Sequence, residues 1–129
     1  MKNDLVVNTF DIDGVIYFDN DYLGVRPYDH DIIITGRSLY DESVSTLNML
    51  KKRGIHNQVF FNPVYFDEKS RESSGLHKGK TIKSLIDQGV IYGVHFEDDE
   101  IQIENILKIV DIPIVHVKSN LVEKENVRR

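Results

Sequence analysis

The chain has 129 residues, which suits a single domain spanning 1–129 with a core of its own. Its 40% hydrophobic and 29% charged residues exclude a collagen-like or disordered chain, and the absence of cysteine excludes disulfides, thiolate metal ligands and cysteine nucleophiles. The net charge of −5 lacks the basic surplus of a free-standing nucleic-acid binder, although Lys78, Lys80 and Lys83 form a local basic cluster.

The sequence contains no apolar stretch near the roughly 20 residues that span a bilayer. A short apolar run over 5–7 follows a polar start and carries no cleavage-site pattern, so it is not typical of a signal peptide. These features predict a cytoplasmic protein with no membrane partner.

Apolar runs in the first half of the chain predict three buried strands. The run over 5–10 predicts the first strand, and a loop over 13–29 follows it. The run over 32–34 predicts the second strand, which ends at Thr35, and the run over 59–61 predicts the third.

A helix is expected between the second and third strands. Asp41 and Glu42 are placed in its first turn, where acids suit the helix dipole, and Gly54 follows its basic last turn. Its apolar face is expected to consist of Val44, Leu47 and Leu50.

The second half of the chain repeats this alternation. The predicted elements are, in order, a loop over 62–75, a helix over 78–87, a strand over 90–96, a helix over 100–110, a strand over 113–117 and a charged tail from residue 119. The side chains expected to face the core are Ile82, Leu85 and Ile86 in the first helix and Ile103, Ile106, Leu107 and Val110 in the second.

Continuous apolar strands that alternate with amphipathic helices predict a parallel sheet covered on both faces. The expected fold is therefore α/β, a three-layer α/β/α sheet of the Rossmann-like class. In such sheets ligands bind outside the carboxyl ends of the strands, so the residues at those ends are the candidates for function.

Chemically active side chains stand at four such positions. Asp11 and Asp13 follow the first strand, Thr35 follows the second, the acidic run 97–99 follows the fourth, and the basic run 77–80 begins a helix. Taken singly, each is typical of an ordinary turn, cap or surface charge. Together they supply a carboxylate nucleophile, a second carboxylate for proton transfer, a hydroxyl and an ammonium for phosphoryl oxygens, and carboxylates for Mg²⁺. This is the set that aspartyl-phosphate chemistry needs.

The spacing of the first two acids supports this interpretation. Residues i and i+2 past the end of a strand can point the same way, so the carboxylates of Asp11 and Asp13 would face one phosphate. Gly14 would let the chain leave the strand sharply and let the backbone approach a ligand.

Four segments of the chain stand in the same order as the motifs of a known enzyme family: FDIDGVIY over 10–17, IIITGR over 32–37, HKGKTIKSL over 77–85 and HFEDD over 95–99. They resemble motifs I to IV of the haloacid dehalogenase-like (HAD) hydrolase superfamily, most of whose members are Mg²⁺-dependent phosphatases. The resemblance covers nearly the whole chain. It implies hydrolysis of a phosphomonoester through an aspartyl-phosphate intermediate, with Mg²⁺ as cofactor.

The resemblance also implies roles for the residues that handle the phosphoryl group. Asp11 is the nucleophile and Asp13 the general acid/base. Thr35 binds the phosphoryl group, with Gly36 and Arg37 as further substrate-binding residues. Either Lys78 or Lys80 stabilises charge on nucleophile and phosphate; Lys78 is favoured because it begins the family pattern Lys-x-x-x-Ile-x-x-Leu, and Lys80 remains a substrate-binding candidate.

For the metal, the resemblance implies Asp98 as a ligand, helped by Glu97 or Asp99 and by Asp11 with the backbone carbonyl of Asp13. The run Glu97-Asp98-Asp99 departs from a plain aspartate pair, which leaves open which side chain reaches the ion.

Two positions refine the resemblance to the family. Val15 stands where many members have threonine. Asp13 favours phosphate esters over haloacids, because dehalogenases need no acid/base at that place. Nucleotides, polynucleotide ends, sugar phosphates and phosphoproteins all remain as phosphorylated substrates.

The intervals between motifs predict a small capless enzyme. The chain advances 22 residues from Asp13 to Thr35 and 43 from Thr35 to Lys78, which leaves no room for a cap domain. The site should be open, with a flap over 18–29 and a loop over 62–75 beside it. Candidate substrate contacts in or directly beside these segments are Tyr17, Tyr22, Arg26 and Tyr28 for the first and Arg71, Ser73, Ser74 and His77 for the second.

Two other functions compete with a phosphatase. A phosphoacceptor receiver domain also uses Asp, Thr, Lys and Mg²⁺, but its phosphorylated Asp follows the third strand, which here ends near Asn62. A non-catalytic HAD-like relative would act as a binding or regulatory protein, and the filled motif positions argue against it. The oligomeric state is not predicted.

Overall fold

The computed structural model of the chain describes residues 5–18 and 23–118. The elements are, in chain order, β1 (Val7–Phe10), β2 (Ile32–Ser38), α1 (Ser43–Lys52), β3 (Val59–Asn62), a 3-10 turn (Phe66–Glu68), α2 (Arg71–Asp87), β4 (Tyr92–Glu97), α3 (Glu100–Leu107) and β5 (Ile114–His116). From β2 onward, strands and helices therefore alternate as the apolar runs indicate.

The five strands form one sheet in the order β3-β2-β1-β4-β5, and every pairing is parallel. The predicted three-layer Rossmann-like α/β/α class is confirmed. Within the described ranges, neither interval between the motifs holds a cap domain, because the chain from β1 to β2 is short and that from β2 to β4 holds only α1, β3, a 3-10 turn and α2.

Two hydrophobic clusters fill the two faces of the sheet. On one face, Leu50 of α1 packs with Ile12, Ile16 and Ile33. On the other, Ile82 and Leu85 of α2 and Ile106 of α3 pack with Ile32 and Ile34. Alternate residues of β2 thus serve opposite faces, and the sheet is covered on both sides.

Two glycines of α2 bring it unusually close to α3. A Cβ built on Gly75 would lie 2.8 Å from the carbonyl oxygen of Gln102, and one on Gly79 would lie 3.1 Å from that of Ile106. Only residues without a side chain fit this contact, so the pair of glycines fixes the distance between the two helices.

Helix α2 begins at Arg71, so the prediction of a loop reaching residue 75 and a helix starting at 78 is wrong at this point. Ser70 caps the helix. Its side chain accepts a hydrogen bond from the Ser73 backbone N–H, and the Ser73 hydroxyl oxygen accepts one from the Ser70 backbone N–H. The first turn is rich in serine and glycine, whose low intrinsic helix propensity concealed it.

The predicted apolar face of α1 is also wrong. Val44 is 73% exposed and Leu47 is 48% exposed, whereas Leu50 and the polar Thr46 are buried. Asp41 and Glu42 precede the helix and do not occupy its first turn.

Predicted and observed helix ends also differ by a few residues. Helix α3 ends at Leu107 and not at 110, and Leu107 is 46% exposed. Ile86 of α2 is 36% exposed, so it contributes less to the core than Ile82 and Leu85. In the part of the chain that the structure describes, no helix has the length and apolar character to cross a membrane.

Candidate functional site

The centre of the site is Asp11, at the carboxyl end of the central strand β1. Parallel pairing of β1 with β4 aligns Phe10 with Phe96, and the two rings stack with centroids 4.5 Å apart. The Asp11 backbone N–H continues the pairing by donating to the Phe96 carbonyl at 3.1 Å. The acids that follow β4 therefore lie beside Asp11.

Lys78 reaches this centre from α2 and is fully buried. Its Nζ lies 3.0 Å from an Asp11 carboxylate oxygen, 2.8 Å from Glu97 Oε1 and 2.5 Å from the side-chain carbonyl of Gln102. A buried lysine is tolerated only when it is paired, and here two carboxylates and an amide surround it. Lys80 is exposed on the other side of α2, so the lysine brought to Asp11 is Lys78.

Three carboxylates could hold a metal ion. Single oxygens of Asp11, Glu97 and Asp98 all lie within 4.8 Å of one another, and all three residues are buried. A cluster of carboxylate oxygens suits a hard divalent cation such as Mg²⁺. Glu97 Oε1 contacts both Lys78 and His95, and Glu97 Oε2 accepts from the Asp99 backbone N–H at 3.4 Å.

Asp99 is engaged elsewhere, as the N-cap of α3. Its side chain accepts from the Ile101 backbone N–H at 2.9 Å and forms a two-bond ion pair with Arg71 at 2.8 and 2.9 Å. Burial favours a higher pKa for Asp99, but the hydrogen bonds from Arg71 and Ile101 outweigh it, and its pKa is lowered. Because its oxygens are already used by Arg71 and Ile101, Asp99 is the weakest metal-ligand candidate of the three acids in the run 97–99.

Asp13 is held by Arg37. The Arg37 guanidinium donates from Nε to one Asp13 oxygen at 2.8 Å and from a terminal nitrogen to the other at 2.7 Å, and its second terminal nitrogen donates to Thr46. Burial disfavours the charge on Arg37, but its hydrogen bonds to Asp13 prevail and its pKa is raised. Gly14 has φ of +88°, so the chain turns out of the strand here as expected.

An irregularity in β2 shapes the phosphate-binding candidates. Ile34 pairs with Phe60 and Ser38 with Asn62, so β2 advances by four residues over a stretch in which β3 advances by two. Thr35, Gly36 and Arg37 occupy this bulge, and the Arg37 backbone N–H donates to Thr35 Oγ1 at 3.0 Å. Bulges of this kind re-aim side chains at the ends of strands.

A chain of buried polar side chains stands behind the site. Tyr92 OH lies 2.6 Å from Thr9 Oγ1, which lies 2.8 Å from His95 Nδ1, and His95 Nε2 lies 3.0 Å from Glu97 Oε1. Since a carboxylate only accepts, Nε2 carries the proton toward Glu97. Burial raises the pKa of Tyr92, which keeps its phenol protonated as a donor.

Sequence reasoning missed His95, Thr9 and Gln102. His95 lies inside the HFEDD motif and Gln102 four residues after Asp98, so their places near the acids were visible. Their burial was not visible, because it depends on strand pairing and on the close approach of α2 and α3.

The expected contacts of the first flanking segment that the structure describes do not reach the site. Tyr17 is buried in the core and donates to the Met49 carbonyl, and Arg26 donates to the carbonyl of Arg53 at the end of α1. Tyr28 precedes β2 and so lies at the amino edge of the sheet. Tyr22 falls outside the described residues.

The second flanking segment is helical and has structural partners of its own. Arg71 pairs with Asp99, Ser73 belongs to the helix cap and Ser74 is buried. His77 contacts the Phe60 carbonyl at 3.5 Å.

No family model matches the chain, and no curated protein matches it. The chemical interpretation of the site therefore rests on its geometry.

Proposed function

We propose that this protein is a Mg²⁺-dependent phosphatase of the HAD-like kind, which hydrolyses a phosphomonoester through an aspartyl-phosphate on Asp11. The observation that carries the proposal is the buried group in which Lys78 bridges Asp11 and Glu97 while Asp98 completes a three-carboxylate cluster. A lysine with a purely structural role would need one carboxylate partner. Burying a third carboxylate beside that pair would only add to the desolvation cost.

The proposed reaction has two steps. The Asp11 carboxylate attacks phosphorus, the bond to the leaving oxygen breaks, and Asp13 in its protonated form gives that oxygen a proton. Asp13 then takes a proton from water, which attacks the aspartyl-phosphate, releases inorganic phosphate and restores Asp11. Lys78 balances the charge on Asp11 and on the phosphoryl oxygens throughout.

Arg37 gives this scheme a specific requirement. Both Asp13 oxygens accept from Arg37, an arrangement that holds Asp13 as a carboxylate. For Asp13 to act as an acid, Arg37 has to transfer at least one of these hydrogen bonds to a phosphoryl oxygen when substrate arrives. Arg37 would then both bind substrate and release the acid.

Asp11, Glu97 and Asp98 are the residues we assign to Mg²⁺, and the donor set fits because it consists of carboxylate oxygens alone. When bound, the ion would neutralise charge on the phosphoryl oxygens and orient the group for attack.

The sheet order disfavours the receiver-domain alternative. Receiver domains have the strand order 2-1-3-4-5 of flavodoxin-like folds, whereas this sheet has the order β3-β2-β1-β4-β5. The structure thus adds topology to the motif order as an argument against a phosphoacceptor module.

The test is release of phosphate from p-nitrophenyl phosphate with and without Mg²⁺. Asp11→Asn is expected to abolish Mg²⁺-dependent release, whereas Asp111→Asn, the same substitution at an exposed position, should leave it unchanged. A wild-type rate equal to that of Asp11→Asn on a panel of phosphate esters would refute the enzyme and favour a non-catalytic binding protein.

A further inference from the structure

A groove of about 530 Å³ lies between the edge strand β3 and helix α2. Its walls are largely apolar and include the side chains of Phe60, Val64, Leu76 and Leu85. Helix α2 packs mainly on β2 and α3, which leaves this face of β3 open. The volume lies within the roughly 300–1,000 Å³ typical of small-molecule sites.

Asn62, at the end of β3, is the polar group that marks this groove as a binding site. It is 2% exposed and lines the groove, yet its Nδ2 has no hydrogen-bond partner within the described ranges. Buried amide donors are satisfied in nearly all native structures, because an unpaired one is costly. The amide nitrogen itself is closed off from solvent, so a ligand with a hydrogen-bond acceptor would satisfy this donor once the amide turns toward the groove.

The charges around the groove define what it accepts. Among the described residues that line it none is acidic, although the chain as a whole carries −5, and Lys80 adds a positive charge at the exposed edge. Burial lowers the pKa of His77 to about 4, so its ring is neutral at neutral pH. The groove therefore suits a neutral or anionic group and disfavours a cation.

The groove adjoins the carboxylate site. Asn62 pairs in the sheet with Ser38, the residue after Arg37. The His77 ring contacts the carbonyl of Phe60 and the backbone of Thr35, and the next residue of α2, Lys78, bonds to Asp11. A molecule anchored at Asp11 can thus extend over His77 toward Asn62.

From these contacts we infer that the groove binds the organic leaving group of the substrate, and that this group is a planar, mainly apolar ring bearing a hydrogen-bond acceptor for Asn62. The inference rests on the proposed phosphatase function. The ring packs between Phe60 and α2, a slot whose apolar walls offer little to the hydroxyls of a sugar. Asn62 is thereby a specificity-determining residue.

The first test measures binding without turnover. The probe is 4-methylumbelliferone, a planar ring with a carbonyl acceptor, titrated by fluorescence into the wild-type chain, Asp11→Asn, Asn62→Leu and the exposed control Asn48→Leu. Asn62→Leu should weaken binding about tenfold, and the other two variants should bind like the wild type. In the ligand-free state Asn62→Leu should be at least as thermally stable as the wild type, because it removes an unpaired buried donor. Equal binding by Asn62→Leu, or no binding by the wild type, overturns the inference.

The second test separates the groove from the catalytic proposal by comparing kcat/KM for 4-methylumbelliferyl phosphate and for glycerol 2-phosphate, which has no ring. Asn62→Leu, and Thr81→Trp, which fills the groove from a half-buried position on α2, should lower the value for the aryl ester about tenfold and change that for the glycerol ester less than twofold. Equal changes in kcat/KM for both esters would refute the role of the groove in binding the leaving group and would leave the phosphatase proposal standing. No wild-type turnover of either ester refutes the phosphatase and the leaving-group assignment together.

Discussion

Replacing Lys78 with methionine is the most direct test of the buried charge cluster. The side chain is fully buried and its Nζ lies within 3.0 Å of both Asp11 and Glu97. Methionine is close in length and volume to lysine, so the substitution removes the charge and leaves the packing largely intact. Two buried carboxylates then face each other without their shared ammonium.

Breaking a buried ion pair by removing one partner costs about 3–5 kcal/mol. Unfolding of a chain of this length shifts by about 4 °C per kcal/mol, so the expected fall in Tm is about 12–20 °C. Mg²⁺ should stabilise Lys78→Met more than it stabilises the wild type, because a cation in the carboxylate cluster would replace the missing charge. At a Mg²⁺ concentration of 100 times Kd, the gain would be about 2.7 kcal/mol.

Urea denaturation of the wild type and Lys78→Met, each with and without Mg²⁺, measures these differences. Lys80→Met is the matched control, since Lys80 is exposed on the same helix and its substitution should change stability by less than about 0.5 kcal/mol. A loss below about 1 kcal/mol for Lys78→Met, or one equal to that of Lys80→Met, would refute the cluster as described.

Three further predictions concern other parts of the site. Asp13→Asn should lower kcat at least about 100-fold, because it removes the proton carrier, while Mg²⁺ still raises its Tm as in the wild type. The pKa of His77 falls to about 4 in the folded chain, against an ordinary value of 6.5, so between pH 6.5 and 4 the unfolded chain takes up its proton first. As the pH falls through that interval, the free energy of unfolding of the wild type should therefore drop by up to about 3 kcal/mol more than that of His77→Gln. Gly75→Ala should destabilise the fold by about 1–3 kcal/mol, because its Cβ would meet the carbonyl of Gln102, despite the better helix propensity of alanine.

Each of these predictions has an outcome that contradicts it. Wild-type kcat in Asp13→Asn would show that another group moves the proton. Parallel stability curves for the wild type and His77→Gln between pH 6.5 and 4 would mean that the ring is protonated in the folded chain. An unchanged or higher midpoint of urea denaturation for Gly75→Ala would show that α2 and α3 have room between them.

The sheet could be predicted from the sequence because its central strands are buried on both faces. Such strands appear as continuous apolar runs, as at 32–34, and the acids that follow them are conspicuous. The rule that ligands lie at the carboxyl ends of parallel strands then placed Asp11, Thr35 and Asp98 at one edge. These positions depend only on local pattern and topology.

The partners of these residues depended on contacts that the sequence does not encode locally. The burial of Lys78 depends on where α2 crosses the sheet, and that of Gln102 on two glycines in another helix. Arg37 was expected to bind substrate, and its hydrogen bonds to Asp13, a residue 24 positions earlier in the chain, were not expected. A polar residue on a helix is normally assigned to solvent, so such tertiary pairs escape any reading of periodicity.

The bulged strand β2 has a consequence for how the molecule can move. All seven of its residues are buried, and the regularly paired backbone amides of 32–34 should exchange with deuterated water only when the sheet opens as a whole. Binding residues in most proteins sit in loops that open readily, whereas the proposed phosphate contacts Thr35 and Arg37 are buried in a strand and follow directly on this slowly exchanging segment. Any adjustment to different substrates would then come from the surrounding rim, and the proposed phosphate-binding frame would present the same geometry to each of them.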